Sequence, residues 1–372
     1  MTFSSAISPN DSSSSAKLRV LVVDDSALYR QTVSRVLADF DDVEVVGIAK
    51  DGLDAIEKLQ SLEPDLLTLD VEMPEMNGIE TLREMKRLKT SSRAIMLSSL
   101  TEAGAKITLD ALFEGAFDFI QKPTGGLVSC RGELANALRN KIDAFRSHLE
   151  ERSIEPVKPV VVPVSKSASV ECRLIVIGLS TGGPQTLRHV IPRLDADFPV
   201  PVIVVQHMPA NYTHAMAQRL NEVSGLRVSE AADGVALTSG NAWIAPGGKH
   251  LRVKKVAGRA VFETTMDPLE NSCRPAVDYT LRSCVDVFGG DILSVILTGM
   301  GRDGLEGCRA VAASGGTVLA QDRDTSAVFG MPKAIIDAGL AERILPLGKI
   351  APAIMRHVHR FASRSSQLGR NP

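Results

Sequence analysis

Two sets of residues in this sequence have the side chains and spacing of a reactive site, and the first set is acidic. Asp24 and Asp25 are adjacent, while Asp70, Ser98 and Lys122 follow one by one along the next hundred residues. Carboxylates that converge repel one another unless a hard dication neutralises them, and Mg²⁺ suits such an all-oxygen site. A lysine beside the carboxylates can bind a phosphoryl oxygen, and a serine hydroxyl can move to donate a hydrogen bond to it.

The second set combines a hydroxyl, an imidazole and a carboxylate. Ser180 lies in the segment 178–182, which satisfies G-x-S-x-G, a pattern whose glycines permit a sharp turn from a strand into a helix. His207 and Asp303 lie further along the chain. Together they supply what a nucleophilic triad requires: a hydroxyl, a base, and a carboxylate that orients the base.

Simpler interpretations of both sets stay open at this point. An aspartate after a strand often caps a helix or forms a turn, and a glycine-rich turn after a strand can cradle a phosphate. The glycine spacing around Ser180 nevertheless differs from G-x-G-x-x-G, the pattern of dinucleotide-binding turns. The sequence also lacks a convincing acidic residue at the offset where such domains bind the ribose. His207 could be an ordinary buried histidine and Asp303 a helix cap. The order Ser, His, Asp also differs from the Ser, Asp, His order of α/β-hydrolases, so the pattern does not indicate that fold.

The elements that must position the first set alternate between strands and helices. Continuous apolar runs without polar alternation indicate strands buried on both faces, hence a parallel sheet between helices. The carboxyl ends of such strands form a ligand crevice, and the acidic residues, the serine and the lysine all follow strand ends. The predicted strands are 18–23, 43–49, 65–70, 93–99 and 116–122, with helices at 27–39, 52–61, 78–88 and 101–114.

A second α/β pattern positions the second set. Ser180, His207 and Asp303 follow three different predicted strands, so one crevice can hold all three. The segment 226–266 alternates and is rich in glycine and β-branched residues, which suggests a hairpin excursion within the sheet. The predicted strands here are 174–178, 201–206, 242–245, 292–298 and 316–321.

The fold class is therefore α/β, with two doubly wound parallel-sheet domains, the second of them Rossmann-like with a hairpin excursion. A proline-punctuated stretch separates the two patterns and is typical of a semi-extended linker. The predicted boundaries are 17–146 for the first domain, 147–170 for the linker and 172–362 for the second domain.

Composition restricts the function classes. The 372 residues carry 42 Lys+Arg against 44 Asp+Glu, a net charge of −2, which argues against nucleic-acid or anionic-membrane partners. Five scattered cysteines form no CxxC pair, which is typical of a reduced compartment. The serine-rich N-terminus is no secretory signal and no apolar run is long enough to span a membrane. We expect a cytoplasmic protein that does not insert into membranes.

The first domain resembles the receiver domain of two-component response regulators. The resemblance rests on the segments 22–26, 69–74, 77–78 and 122–123. It implies a flavodoxin-like fold and a phosphoryl group accepted from a histidine kinase. In residue terms it implies phosphorylation of Asp70, Mg²⁺ held by Asp24, Asp25, Asp70 and the Glu72 carbonyl, a phosphoryl contact from Lys122, and a switch pair of Ser98 and Phe119.

The second domain resembles the catalytic domain of the chemotaxis protein-glutamate methylesterases, the CheB family. The resemblance rests on the segments 180–183, 206–208, 245–250, 274–278, 298–304 and 329–332. It implies hydrolysis of glutamate γ-methyl esters on methyl-accepting chemoreceptors, and deamidation of certain glutamines, with no cofactor for either step. The implied roles are Ser180 as nucleophile, His207 as base, Asp303 as its orienting carboxylate, and backbone N–H groups near Thr181 and Met300 as an oxyanion hole.

Two departures and one rival hypothesis accompany this resemblance. Leu179 stands where the family usually has alanine, and Ala276 stands where it usually has serine, which leaves any polar contact at that position in doubt. We expect the unphosphorylated receiver domain to cover the triad crevice and phosphorylation to uncover it. The rival is a non-enzymatic signalling adaptor that binds receptors, and a missing triad residue would favour it.

Overall fold

The computed structural model of the chain describes residues 16–99, 101–123, 131–153 and 172–368. Within these ranges the chain forms two parallel sheets, each covered by helices on both faces. The predicted α/β class with two doubly wound domains is confirmed.

The first sheet has five parallel strands in the order β2-β1-β3-β4-β5. Its strands are the apolar runs of the sequence, and β3 is buried along its whole length. Helices begin at polar caps: the Asn77 side chain accepts from the N–H groups of Ile79 and Glu80, which starts the helix that follows the loop after Asp70. The strands are β1 (Leu18–Val23), β2 (Val43–Ala49), β3 (Leu66–Asp70), β4 (Arg93–Ser98) and β5 (Asp118–Gln121); the helices are α1 (Ala27–Ala38), α2 (Gly52–Leu62), α3 (Gly78–Arg87), α4 (Glu102–Glu114) and α5 (Arg131–Ser153).

The second sheet has seven parallel strands in the order β14-β13-β12-β6-β7-β9-β8. The short edge strands β8 and β14 join the five that the sequence predicts. The central strands β12, β6 and β7 are neighbours, so the loops after them lie side by side. The strands are β6 (Leu174–Leu179), β7 (Val202–Gln206), β8 (Arg227–Glu230), β9 (Asn241–Ile244), β12 (Ile292–Ile296), β13 (Thr317–Gln321) and β14 (Arg343–Leu345); the helices are α6 (Gly183–Val190), α7 (Ala210–Val223), α8 (Val277–Phe288), α9 (Leu305–Ala313), α10 (Gly330–Asp337) and α11 (Leu347–Leu368).

The hairpin predicted over 226–266 exists, but it does not lie within the main sheet. The strands β10 (His250–Val256) and β11 (Arg259–Thr265) pair antiparallel as a separate two-stranded sheet, and α8 packs against β10. The first part of the segment supplies β8 and β9, which continue the parallel sheet instead. Alternating polarity marks a strand with one solvated face, and it cannot tell which sheet the strand joins.

The two sheets pack together through helices. Helix α4 of the first domain lies against α7 of the second, and α5 continues to Ser153, past the predicted domain end at 146. Residues 154–171, which hold most of the predicted linker, lie outside the described residues. No helix in the described ranges is long and apolar enough to cross a membrane.

Candidate catalytic site and receiver site

Three carboxylates meet at the carboxyl edge of the first sheet. Asp24, Asp25 and Asp70 each offer an oxygen, and these oxygens all lie within 4.8 Å of one another. Lys122 Nζ lies 2.8 Å from Asp24 Oδ2 and 2.7 Å from Asp70 Oδ2. The parallel strands β1, β3 and β5 therefore bring together the acids and the lysine that the sequence places at their ends.

The electrostatics of this cluster favour a bound cation. Burial raises the pKa of Asp70 to about 6; the nearby Asp24 carboxylate adds to the rise, and Lys122 opposes it. Converging oxygens of this kind match the hard donors that Mg²⁺ prefers, so the residues present fit the ion. The Glu72 side chain is exposed and stands outside the cluster, so at most its carbonyl would contribute.

Both residues of the implied switch pair contact the second domain through Tyr212, a fully buried residue of α7. The Tyr212 hydroxyl donates to Ser98 Oγ over 3.0 Å. The ring of Phe119, itself buried, packs against the Tyr212 ring with centroids 4.3 Å apart and the ring planes tilted by 33°. One tyrosine thus touches the receiver domain at the two positions where the resemblance expects phosphorylation to act.

The loops after three neighbouring strands hold the second set of predicted residues. The Ser180 N–H donates to the Thr298 carbonyl at the end of β12 over 3.0 Å. On the other side, the His207 N–H donates to the Leu179 carbonyl over 3.1 Å. Ser180 therefore occupies the central strand end, with the His207 loop on one flank and the loop leading to Asp303 on the other.

The turn that carries Ser180 is tightly supported. Gly182 has φ 78°, in the left-handed region that favours glycine, and α6 begins at the next residue. A Cβ on Gly183 would lie 1.7 Å from Gln206 Oε1, so only glycine allows this approach. Gln206 Nε2 donates to the Ser180 carbonyl over 2.8 Å and so ties the turn to β7.

Asp303 is the most heavily hydrogen-bonded carboxylate of the site. It accepts from His207 Nε2 over 2.7 Å and from Asn271 Nδ2 over 2.8 Å. Burial by itself would raise the pKa of Asp303, but the hydrogen bonds and the imidazole outweigh it and lower that pKa. The carboxylate thus stays ionised beside the imidazole. The remaining donors are the backbone N–H groups of Val277, Asp278 and Gly304.

His207 has a partner on each ring nitrogen. Nε2 faces Asp303, and Nδ1 lies 3.5 Å from Cys273 Sγ. Burial by itself would lower the pKa of His207, but the Asp303 carboxylate and the Cys273 sulfur favour the charged ring and raise the pKa to about 9. The Ser180 hydroxyl makes no hydrogen bond to any residue in the described ranges, so in this state the imidazole is paired with Asp303 and Cys273.

The two predicted oxyanion donors flank the turn: Thr181 follows Ser180 in the chain, and Met300 follows Gly299, which packs closely against Ser180. In the part of the chain that the structure describes, neither the Thr181 nor the Met300 backbone N–H has an acceptor. The Thr181 side chain instead donates to Asp118 Oδ2 of the first domain over 2.6 Å, which places the other domain directly at the turn. Neither N–H is therefore used by the backbone hydrogen bonding of the described fold, and their role as an oxyanion hole stays a prediction.

The first domain covers the His207 side of the site. A cavity of about 360 Å³ is lined by His207 and Pro209 together with receiver residues that include Phe119, Pro123 and Lys141. Arg188 donates to the Phe113 carbonyl over 2.8 Å, and the Phe329 N–H donates to a carboxylate of α5. Phe113 of the first domain and Phe329 of the second thus each contact the opposite domain.

Several residues of the site carry no signal in the sequence. Cys273 is one of five scattered cysteines, and Asn271 reaches Asp303 from a turn in which Asn271 and Ser272 both adopt positive φ, 51° and 61°. The two departures from the family pattern are both buried. Leu179 has no exposed surface and fills the core beneath the turn; Ala276 precedes α8 without a side-chain cap, and the Asp303 carboxylate accepts the first two N–H groups of that helix instead.

One domain carries a receiver-type acidic site, and it packs against a second domain whose crevice holds a serine, a histidine and an aspartate. This combination defines a class of two-domain regulated hydrolases. Family models agree: the CheB methylesterase model matches residues 175–354, and the response regulator receiver model matches residues 20–127. A Thermotoga maritima protein named protein-glutamate methylesterase/protein-glutamine glutaminase is 44% identical over 343 residues, or 92% of this chain and 98% of the relative. The chain belongs to the CheB methylesterase family, which confirms the resemblance seen in the sequence.

Further relatives are similar along most of the chain. A Nocardioides protein with the same name is 44% identical over 359 residues, covering 92% of this chain and 96% of its own. Among solved structures, the crystal structure of the T. maritima CheB methylesterase catalytic domain is 43% identical and covers 51% of this chain and 100% of that chain, with a TM-score of 0.49.

Proposed function

We propose that this chain hydrolyses glutamate γ-methyl esters on chemoreceptors, releases methanol, and is controlled by phosphorylation of its receiver domain. The observation that carries the proposal is the His207–Asp303 pair at the strand end next to Ser180. The names of the relatives support both this activity and the deamidation of receptor glutamines. Both reactions are acyl transfers at a side-chain γ-carbonyl, so one site serves both.

In the proposed mechanism Ser180 attacks the carbonyl and His207 accepts its proton. Because Nε2 is held by Asp303, Nδ1 is the nitrogen that must receive the proton, and the Ser180 hydroxyl must turn toward it. Asp303 stabilises the imidazolium that forms. The N–H groups of Thr181 and Met300 bind the developing oxyanion, methanol or ammonia leaves, and water then hydrolyses the acyl-enzyme.

The pKa of His207 leads to a pH prediction. We expect kcat/KM of the unphosphorylated protein to rise about tenfold per pH unit up to about 9, because only the neutral imidazole accepts a proton. The folded-state pKa lies above the ordinary 6.5. The stabilisation of the fold by protonated His207 is therefore fully present below pH 6.5 and lost as the pH rises through about 9. Urea unfolding at each pH separates this change in stability from the change in rate. A rate that does not change from neutral pH to pH 9 would contradict the assignment of His207 as base.

In the receiver domain we propose that Asp70 accepts a phosphoryl group from a histidine kinase. Asp24, Asp25, Asp70 and the Glu72 carbonyl would hold Mg²⁺, which supplies charge neutralisation for phosphoryl transfer when bound. Lys122, already within 2.7 Å of Asp70 Oδ2, would contact a phosphoryl oxygen. Ser98 would turn its hydroxyl toward the same group.

Tyr212 connects this event to the catalytic site. If Ser98 turns toward a phosphoryl group on Asp70, the Tyr212 hydroxyl loses its 3.0 Å contact with Ser98 Oγ. Only its longer bond to the Ser99 carbonyl, over 3.4 Å, then remains. Losing the stronger bond of a buried hydroxyl costs free energy, so the docked arrangement becomes less stable and the site over His207 opens.

The Tyr212→Phe variant is expected to raise the activity of the unphosphorylated protein about fivefold. Removing the hydroxyl takes away the interdomain hydrogen bond to Ser98 Oγ and the longer one to the Ser99 carbonyl, together worth about 1 kcal/mol. The ring keeps its packing against Phe119. Methanol release without phosphodonor measures the effect. Tyr279→Phe is the matched control, because the Tyr279 hydroxyl bonds to Asp267 and Thr265 within the catalytic domain. Equal changes in the two variants would contradict a role for Tyr212 in docking.

The proposed function itself is tested with methylated chemoreceptor membranes. Methanol release should increase when acetyl phosphate and Mg²⁺ are added, and Asp70→Asn should abolish the increase while leaving the basal rate. A wild-type protein that binds receptors and releases no methanol would overturn the esterase and favour the signalling adaptor.

A further inference from the structure

The imidazole of His207 serves two nucleophile-bearing residues. Cys273 Sγ lies 3.5 Å from Nδ1, the same nitrogen that Ser180 needs in the proposed mechanism. Cys273, His207 and Asp303 therefore form a second array of nucleophile, base and carboxylate that overlaps the first. We propose that Cys273 is a modification site: a thiol activated by His207, on which hydroperoxides and soft electrophiles act to switch off the esterase. The effect of this modification on activity rests on the proposed function, whereas the reactivity of the Cys273 thiol does not.

The partners of the two His207 ring nitrogens explain how the Cys273 thiol is activated. Nε2 donates to the Asp303 carboxylate, so Nδ1 is the nitrogen that can take a proton from the sulfur. The Cys273 thiol can pass its proton to Nδ1, which leaves a thiolate beside an imidazolium. Asp303, held ionised by five hydrogen bonds, stabilises that imidazolium.

The loop that carries Cys273 is held firmly against the site. The Cys273 N–H donates to the Glu270 carbonyl over 2.9 Å, and the Glu270 N–H donates back over 3.2 Å. Between them Asn271 bridges Asp278 and Asp303 through its amide. The sulfur thus has a fixed position relative to the imidazole, as a pre-organised thiol requires.

The other cysteines in the described ranges differ in their surroundings. Cys172, Cys284 and Cys308 are buried, and burial raises the pKa of each thiol to about 12. Cys273 is only partly buried and has a base at hand. Reaction with an electrophile should therefore be selective among these four thiols.

A hydroperoxide oxidises the Cys273 thiolate. The thiolate attacks one peroxide oxygen, an S–O bond forms and the O–O bond breaks. The leaving oxygen takes the proton from the His207 imidazolium and departs as water or an alcohol. Sulfur is oxidised by two electrons to a sulfenic acid and the peroxide is reduced. The added oxygen crowds Nδ1, so Ser180 loses its proton acceptor until a thiol reductant restores Cys273.

The experiment measures labelling of each cysteine in the full-length protein. Native protein at neutral pH is treated with iodoacetamide, or with hydrogen peroxide plus dimedone, and labelled peptides are quantified by mass spectrometry. We expect Cys273 to react at least about tenfold faster in native than in urea-unfolded protein, and His207→Ala to remove this advantage. Cys172 serves as the internal control for a buried thiol.

The result that would overturn the proposal is a Cys273 that reacts no faster in native than in unfolded protein, or equally fast in wild type and in a folded His207→Ala variant. The activity arm compares methanol release before and after peroxide, each protein relative to its own starting rate. Wild type should lose most of its rate and recover it with dithiothreitol, whereas Cys273→Ser should be resistant; equal loss in both would refute the effect on the esterase. Selective labelling of a protein that releases no methanol would refute the proposed function and leave the reactive thiol standing.

Discussion

Replacing Ser180 with alanine is expected to lower methanol release from methylated receptors by at least about a thousandfold, the scale on which loss of a triad nucleophile acts. The expected loss is in kcat, because the hydroxyl forms the bond to the γ-carbonyl and substrate binding uses other groups. The fold should be unchanged: the turn is held through the Ser180 backbone, by the Thr298 carbonyl and by Gln206.

Ser314→Ala is the matched control for this prediction. Ser314 is an exposed serine of the same domain, at the end of α9, and its side chain has no contact with the site. Comparing both variants with wild type under saturating phosphodonor removes differences in domain docking. Equal release by wild type and Ser180→Ala would end the serine hydrolase assignment.

The Asp303→Asn variant is expected to lower kcat by about ten-thousandfold and also to destabilise the fold. The carboxylate accepts five hydrogen bonds, and an amide group must turn an N–H₂ toward at least one of those donors. The His207 ring then loses the partner that fixes its tautomer. Leaving buried donors unpaired should reduce the free energy of unfolding by about 1–3 kcal/mol, measured by urea titration.

The Asp278→Asn variant tests whether the rate depends on the negative charge around Asp303 or on the orientation of the His207 imidazole. Asp278 is buried next to Asp303, and burial, with a contribution from the Asp303 charge, raises its pKa to about 6. It accepts from Asn271 and Gly307 and does not touch His207. We expect its replacement to cost far less activity. A loss as large as that of Asp303→Asn would show that total negative charge, rather than the contact with His207, governs the rate.

The sequence predicts the two sheets well because their information is local and periodic. Runs such as 18–23 and 174–178 are apolar without alternation, and each becomes a strand buried on both faces. Polar caps such as Asn77 mark where helices begin. The gathering of Asp24, Asp25, Asp70 and Lys122 follows from the same rule, since residues at the ends of parallel strands share one edge.

The hairpin formed by β10 and β11 shows a feature that local sequence patterns do not predict. Its two strands are visible in the alternation of 226–266, yet they form a sheet of their own with α8 behind it. Which sheet a strand joins depends on the partner surface available after folding, and no short window of sequence contains that surface.

By itself, then, the sequence determined the fold class, the strand ends that carry the candidate residues and, through its motifs, the family. Tertiary structure alone decided that Tyr212 contacts both Ser98 and Phe119, and that Cys273 rather than Ser180 lies against the imidazole of His207. The physical reason is the distance along the chain over which each kind of interaction acts. Strand and helix preferences act between near neighbours, whereas contacts across 66 or 114 positions arise only when whole elements pack and each side chain settles into the space that remains.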